Sequence, residues 1–211
     1  WIDKVGTNKF VFRDPVFSIN RKHTIELCKE IIRQNLKIEY LIETHLKNLD
    51  DEMIPLLKES GLKLVYIGIE SSDPKVLKDI KRFTIANDEQ QIIIDKLKNN
   101  DILVKSMFMF GNPEDNEDSI KDTISYSMKL SNQLVQYSVF TPYPGTPIFN
   151  HYENKIIEKR YDKFNQYNLT FKHKNLDNKK IKTLKNYGYK KFYLRLKNLP
   201  IIIKSGLSFF K

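Results

Sequence analysis

Residues 63–70 read KLVYIGIE and residues 102–110 read ILVKSMFMF. Both runs are apolar and rich in β-branched or aromatic residues, with little polar alternation. That is the pattern of strands buried on both faces, as in parallel sheets. The first run ends on Glu70-Ser71-Ser72 and the second on Gly111-Asn112-Pro113-Glu114. Working outward, Lys9–Arg13 (KFVFR), Ile38–Thr44 (IEYLIET) and Leu134–Thr141 (LVQYSVFT) are further strand candidates, the first stopped by the turn signal Asp14-Pro15. Helical spacing fills the gaps. Asn20 is placed as the N-cap of a helix over 21–35, Leu49-Asp50-Asp51 starts a second helix closed by Ser60-Gly61, and Ser72-Asp73-Pro74 opens a third. Asp88 is expected to cap a helix to Asn99, and Asn116–Leu130 is helical.

Strands separated by helices and joined by short connections predict right-handed βαβ units and a parallel sheet. Five strands are too few for a closed eightfold barrel. They fit an open partial barrel or a doubly wound sheet. In either, ligands bind at the carboxyl ends of the strands, and there the polar and glycine-bearing residues gather: Asp14, Thr44–His45, Glu70–Ser72, Gly111–Glu114 and Thr141–Thr146. The pattern changes near residue 150, so 1–150 is expected to form the partial barrel. Residues 151–211 are expected to form a loop and a helical extension over Asn178–Lys197.

Composition narrows the options. The chain has 211 residues with 40% apolar and 29% charged, which is globular rather than disordered. Its single cysteine, Cys28, excludes an intrachain disulfide framework and any site built from several thiolates of this chain. No apolar run is long enough for a membrane span, and a cytoplasmic location is expected. The opening Trp1-Ile2-Asp3-Lys4 is neither an initiator Met nor a signal peptide, and reads as a chain entered partway through. Residues 151–211 hold 16 Lys+Arg against 4 Asp+Glu, so the whole net charge of +10 resides there. Such a tail suits RNA or an anionic surface, or is simply a solvated helical face. Because these cations are mostly Lys, with just two Arg, Arg160 and Arg195, nucleic acid is not the favoured partner.

Taken in order, Gly68-Ile69-Glu70-Ser71, Lys81, Thr84, Gly111-Asn112-Pro113-Glu114, Gln136-Tyr137-Ser138 and Thr141-Pro142-Tyr143-Pro144-Gly145-Thr146 form a set that resembles the catalytic domain of radical S-adenosylmethionine (SAM) enzymes. Within that family the set is most similar to the branch with an upstream cobalamin-binding domain, the anaerobic magnesium-protoporphyrin IX monomethyl ester cyclase group. Phe12-Arg13-Asp14-Pro15-Val16-Phe17 resembles that group's second barrel strand, and Phe192-Tyr193-Leu194-Arg195 its C-terminal helix.

The resemblance implies a partial (β/α)6 TIM-like barrel, here without its first strand. It also implies SAM as cofactor, with a 4Fe-4S cluster and cobalamin in the parent enzyme, and an oxidoreductase or methyltransferase acting on a small molecule. The family holds its cluster through a Cys-x3-Cys-x2-Cys loop, which this sequence lacks. The chain is therefore expected to be the C-terminal part of such an enzyme, inactive alone, with its cluster and cobalamin-binding region elsewhere. A degenerate homologue that keeps a ligand without radical chemistry is the alternative.

By this likeness Glu70, Ser71, Lys81, Gly111, Phe140 and Pro142 are the candidate cofactor-binding residues. Glu70 would accept ribose hydroxyls or meet the SAM amino group, or else simply favour the start of the next helix. Ser71 would contact SAM or cap that helix. Lys81 or its neighbour Arg82 would face the SAM carboxylate, and Gly111 would let the protein backbone approach the adenine or methionyl part, or turn the chain from strand to loop. Glu43, Thr44, His45 and Asp14 are candidates to face substrate. No catalytic residue is assigned, and His23, His151 and His173 lack partners at metal-binding spacing, so no metal site is expected in the chain. Two other readings stand beside this one: a non-catalytic basic binding module, and a metal-free enzyme using Glu70 and Glu43 as an acid–base pair.

Overall fold

The computed structural model of the chain describes residues 2–80, 82 and 85–195. Lys81, Thr84 and the apolar stretch Leu199–Phe210, expected to pack on the barrel, lie outside these residues. Five strands form one sheet in chain order: β1 (Lys9–Val11), β2 (Glu39–Thr44), β3 (Leu62–Glu70), β4 (Leu103–Phe110) and β5 (Leu134–Val139). β1 pairs parallel with β2, and β2 with β3. Gln133 N donates to Val104 O at 3.1 Å and Phe140 N to Phe110 O at 2.8 Å. Both chains ascend together between those two bonds, so β4 and β5 are parallel as well.

Every crossover is helical, as parallel neighbours require. After a short α1 (Ile2–Val5), α2 (Arg21–Arg33) joins β1 to β2 and α3 (Met53–Glu59) joins β2 to β3. α4 (Pro74–Asp79) and α5 (Asn87–Asn99) precede β4, and α6 (Glu117–Lys129) precedes β5. α7 (Pro147–Tyr152) and α8 (Asn178–Tyr193) follow.

Most boundaries fall within a few residues of the sequence expectation. The start of α5 differs in its cap: Ala86 holds that position, while Asp88 bonds the amide of its neighbour Glu89. α7 was hidden in a proline-rich segment read as a rigid turn. Thr146 Oγ1 caps it by accepting from Phe149 N at 3.3 Å, with Pro147 preset for the first helical position. α8 ends at Tyr193, four residues before the expected Lys197. There the Arg195 guanidinium stacks on Phe192, donates to Phe192 O and Met128 O, and draws the chain back.

The chain divides into two compact units. The first comprises residues up to Gly68 with Ile85–Ser106 and Leu130–Leu134. In it Tyr40, Ile42, Val65 and Ile67 are buried with Cys28, Met53, Ile54 and Leu57. The Tyr40 hydroxyl meets Ser60 Oγ at 2.7 Å, tying β2 to the end of α3. Gly61 follows α3 at φ +112°, where a Cβ would stand 2.1 Å from Ile38 O, so no other residue fits.

The second unit comprises Ile69–Thr84, Met107–Lys129 and the chain from Val135. Its centre is Tyr137, stacked on Phe110 with centroids 4.8 Å apart and bonded through its hydroxyl to Ser127 Oγ at 2.7 Å. α8 seals the sheet margin at β5. The Tyr193 hydroxyl accepts from Val135 N and donates to Val135 O, and the Tyr189 hydroxyl accepts from Tyr137 N. Two tyrosines one helical turn apart thus match two strand residues on the same edge, about 6 Å against about 6.6 Å of rise.

Candidate functional site

β3 delivers Glu70 at its last position with the backbone at φ +67°, a left-handed conformation that costs a non-glycine residue roughly 1–2 kcal/mol. The chain then reverses tightly, Ser71 N donating to Ile69 O at 2.9 Å. The Glu70 carboxylate is only 13% exposed and lies 3.1 Å from the Arg82 guanidinium, which is 42% exposed. Arg82 is itself placed by its own amide, which donates to Leu77 O at the end of α4.

Ser71 is buried. Its hydroxyl accepts from Asp73 N at 3.1 Å and reaches Thr123 Oγ1 at 3.4 Å, while Asp73 in turn caps α4 through Lys75 N. This hydroxyl therefore shapes the turn. Among the described residues, Arg82 is a cation seen beside Glu70.

At the end of β4, Gly111 takes φ +76°. A Cβ there would come within 2.7 Å of Ile181 Cδ1 and 3.1 Å of Leu169 Cδ2, so the glycine admits protein side chains from α8 and the segment before it. The following loop carries a network that the sequence did not disclose. Asp115, buried, accepts from Asn112 N at 2.9 Å, Asn112 Nδ2 at 3.1 Å and Ser119 Oγ at 2.8 Å. Burial pushes the Asp115 carboxyl above its ordinary value, and these hydrogen bonds oppose the rise.

His173 Nδ1 accepts from the amides of Asn175 and Leu176, which leaves Nε2 to donate to Asn112 O at 2.8 Å. Asn112 Oδ1 is buried with no hydrogen-bond partner among the described residues. The Asn112–Asp115 spacing is a readable turn signal. The 61-residue reach to His173 is not.

β5 closes this unit with an apolar wall. Phe140 N is engaged by Phe110 O, its ring meets Tyr152 and Phe171 edge-on, and Thr141 and Pro142 are buried beside it. Glu70, Gly111 and Phe140 thus all sit at the carboxyl ends of consecutive strands.

In the first unit, Asp14 is exposed after β1. Glu43 and Thr44 are consecutive in β2 and so face opposite sides. Thr44 is the buried one, its hydroxyl bonded to Ser18 Oγ and accepting from Ser18 N. His45 Nδ1 accepts from Lys47 N at 3.3 Å, capping the turn after the strand.

Glu43 shares its face with Tyr66, its register partner, and with Lys105, whose ammonium lies 4.5 Å above the Tyr66 ring centroid. Burial lowers the Lys105 pKa, and Glu43 pulls it back up. Lys105 and Tyr66 were missed, although a lysine inside the run ILVKSMFMF was the available signal.

These side chains can be tested against the groups the resemblance implies. Cys28 is 1% exposed, its Sγ 3.9 Å from the Tyr40 hydroxyl, and burial pushes its thiol up. No group of three or more His, Cys, Asp or Glu that could hold a metal ion occurs among the described residues. An iron–sulfur cluster therefore does not fit them. The adjacent carboxylate of Glu70 and guanidinium of Arg82 do suit a ligand with hydroxyl or ammonium donors and a carboxylate, which is the donor set of SAM.

Parallel strands in chain order, helical crossovers and polar groups at the strand ends define an α/β protein of the partial-barrel class. The model of the Radical SAM superfamily matches residues 4–126, and the chain belongs to that superfamily. It is similar to an uncharacterized methyltransferase of Pyrococcus horikoshii, 26% identical over 196 residues, covering 92% of this chain and 42% of that protein. It is equally similar to the anaerobic magnesium-protoporphyrin IX monomethyl ester cyclase of Cereibacter sphaeroides, 26% identical over 200 residues, covering 92% and 32%.

Among solved structures, a radical S-adenosylmethionine methyltransferase from Kitasatospora setae, with cobalamin and a 4Fe-4S cluster bound, shares the fold. Its TM-score is 0.66 at 17% identity, covering 72% of this chain and 30% of that one. The partial TIM-like barrel expected from the sequence is thus the fold of the chain. The chain spans less than half the length of the curated relatives it matches. Among the described residues, no helix is long and apolar enough to cross a membrane.

Proposed function

We propose that the chain is the SAM-binding portion of a radical SAM enzyme that methylates or oxidises a small molecule, working with a cobalamin-binding region and a cluster ligated outside the described residues. The observation that carries this reading is the Glu70–Arg82 pair at the end of β3, inside the segment matched to the superfamily. Support for methyl transfer comes from the similarity to the Pyrococcus and Kitasatospora methyltransferases, and for the other reading from the similarity to the cyclase.

In this proposal Glu70 accepts hydrogen bonds from the ribose hydroxyls, and Arg82 holds the methionyl carboxylate. Because Glu70 is largely shielded, those bonds would be stronger than in open water. Phe140 and Pro142 supply an apolar wall for the adenine. When bound, SAM supplies a sulfonium that yields either a 5′-deoxyadenosyl radical or a methyl group. The side chains of this chain orient it and exclude water; none is assigned a proton-transfer step. A cytoplasmic setting accords with a buried, unpaired Cys28.

The RNA-binding alternative loses ground in α8, where the Tyr189 and Tyr193 hydroxyls are bonded to β5 rather than standing free beside the lysines.

Calorimetric titration of the purified chain with SAM tests the proposal. We expect saturable binding, weakened at least about tenfold by Glu70→Gln, the range for a hydrogen bond to a charged group. Equal affinity in wild type and Glu70→Gln, or no binding at all, would refute it.

A further inference from the structure

The second unit holds a cavity of about 360 Å³ between the end of α7, the loop after β4 and the segment 171–174. None of its lining residues is among those proposed to hold SAM, and nothing in the proposed reaction uses it. The volume lies within the range of small-molecule sites, roughly 300–1,000 Å³.

The backbone fixes its walls. Ile156 and Phe171 form an antiparallel bridge, and Lys172 N donates to Lys155 O at 2.7 Å, so Lys155 and Lys172 are held side by side. His173, through its bond to Asn112 O, anchors the same segment to the β4 loop. Tyr152 and Phe171, with centroids 5.1 Å apart, and Pro113 make the apolar part.

The charge around this space is one-sided. Lys155, Lys172 and Lys174 line it against one carboxylate, Glu114. Glu114 lies 3.7 Å from Lys174 with both side chains mostly exposed, a loose pair that an incoming anion can replace. The Lys155 ammonium lies 5.5 Å from the Tyr152 ring centroid and stays at the rim. His173 has both ring nitrogens committed to backbone groups, so it serves as wall rather than ligand.

We infer that this cavity is a binding site for a small organic polyanion, one carrying two or more phosphate or carboxylate groups on an apolar body. The lysines meet the oxyanions while the body rests on Tyr152, Phe171 and Pro113. Through His173, occupancy bears directly on the loop that follows Gly111.

The test is calorimetric titration of the chain at low ionic strength, with pyrophosphate and citrate as separate probes. A phosphate preference and a carboxylate preference would identify the natural ligand's head groups. One saturable site is expected for at least one probe. Each of Lys155→Gln and Lys172→Gln should weaken it about two- to fivefold, the scale of a partly exposed ion pair. Glu114→Gln should tighten it by removing the one opposing charge.

Lys179→Gln with Lys182→Gln, on the exposed face of α8, removes twice the charge of either single variant and should still change little. Saturable binding that responds equally to the α8 pair would show a diffuse electrostatic effect and overturn the inference. So would weaker binding in Glu114→Gln, or no saturable binding of either probe.

Discussion

At Gly111 two independent constraints meet, a backbone at φ +76° and a space already filled by Ile181 and Leu169. Alanine there adds left-handed strain of about 1–2 kcal/mol, to which displacement of the Ile181 and Leu169 terminal methyls adds a smaller cost. Gly111→Ala should therefore lower the urea midpoint sharply without changing the slope. Asp115 makes a different residue-scale prediction, because its carboxyl is raised by burial. The folded state then binds its proton more tightly than the unfolded chain does. This group's contribution is complete below the ordinary Asp value of 3.8 and is lost as pH rises through the higher folded value. Urea midpoints measured from about pH 4 to neutrality should show that decline in the wild type, and Asp115→Asn should flatten it. Neither residue's setting was legible in sequence. Gly111 was singled out for a close approach to a ligand or for a turn; the neighbours now seen at its missing side chain, residues 169 and 181, were not foreseen.

At the scale of elements, the strands were legible from their apolar, β-branched runs, although those runs overstated burial. Along β2 to β5 buried positions alternate with partly exposed ones, so one face is buried and the other only partly covered. The helices were legible because each buries one face. What escaped was set by partners distant in sequence. The aromatic residues of α8 were visible, but their task was not: the Tyr189 and Tyr193 hydroxyls satisfy the outer edge of β5. An uncovered strand edge invites pairing with other chains, and this device closes it. Tyr189→Phe keeps the ring against Tyr137, at a centroid distance of 5.0 Å, and removes only the hydroxyl. Each of Tyr189→Phe and Tyr193→Phe should cost about 0.5–1.5 kcal/mol, the net worth of one hydrogen bond. Hydrogen exchange should localise the effect, with faster exchange of the Tyr137 amide in the first variant and of the Val135 amide in the second. If those amides are unaffected, the tyrosines do not guard the edge.

For the whole molecule, the parallel order of the sheet was readable because each βαβ unit is local in sequence, and the strand-end groups follow from that order. The shape of each strand end is less local. Glu70 owes its setting to Arg82, and the β4 loop to a histidine beyond residue 170. The same distinction separates what the chain holds from what the superfamily uses. On the proposed reading SAM is held by one carboxylate and one cation, Glu70 and Arg82, both within the second unit. Holding a 4Fe-4S cluster needs several thiolates, and the sequence has a single cysteine. That cysteine is buried in the first unit with its thiol pushed up, a setting that disfavours the thiolate on which metal ligation depends. The two capacities should therefore separate in one sample. Anaerobic treatment of the chain with ferrous iron and sulfide, followed by desalting, should leave no cluster absorbance in the visible region, while SAM titration of the same material still saturates. Cys28→Ser should alter neither result. A stable cluster signal that disappears in Cys28→Ser would show that the buried thiol opens to ligate iron, and the division of labour argued from its burial would fail.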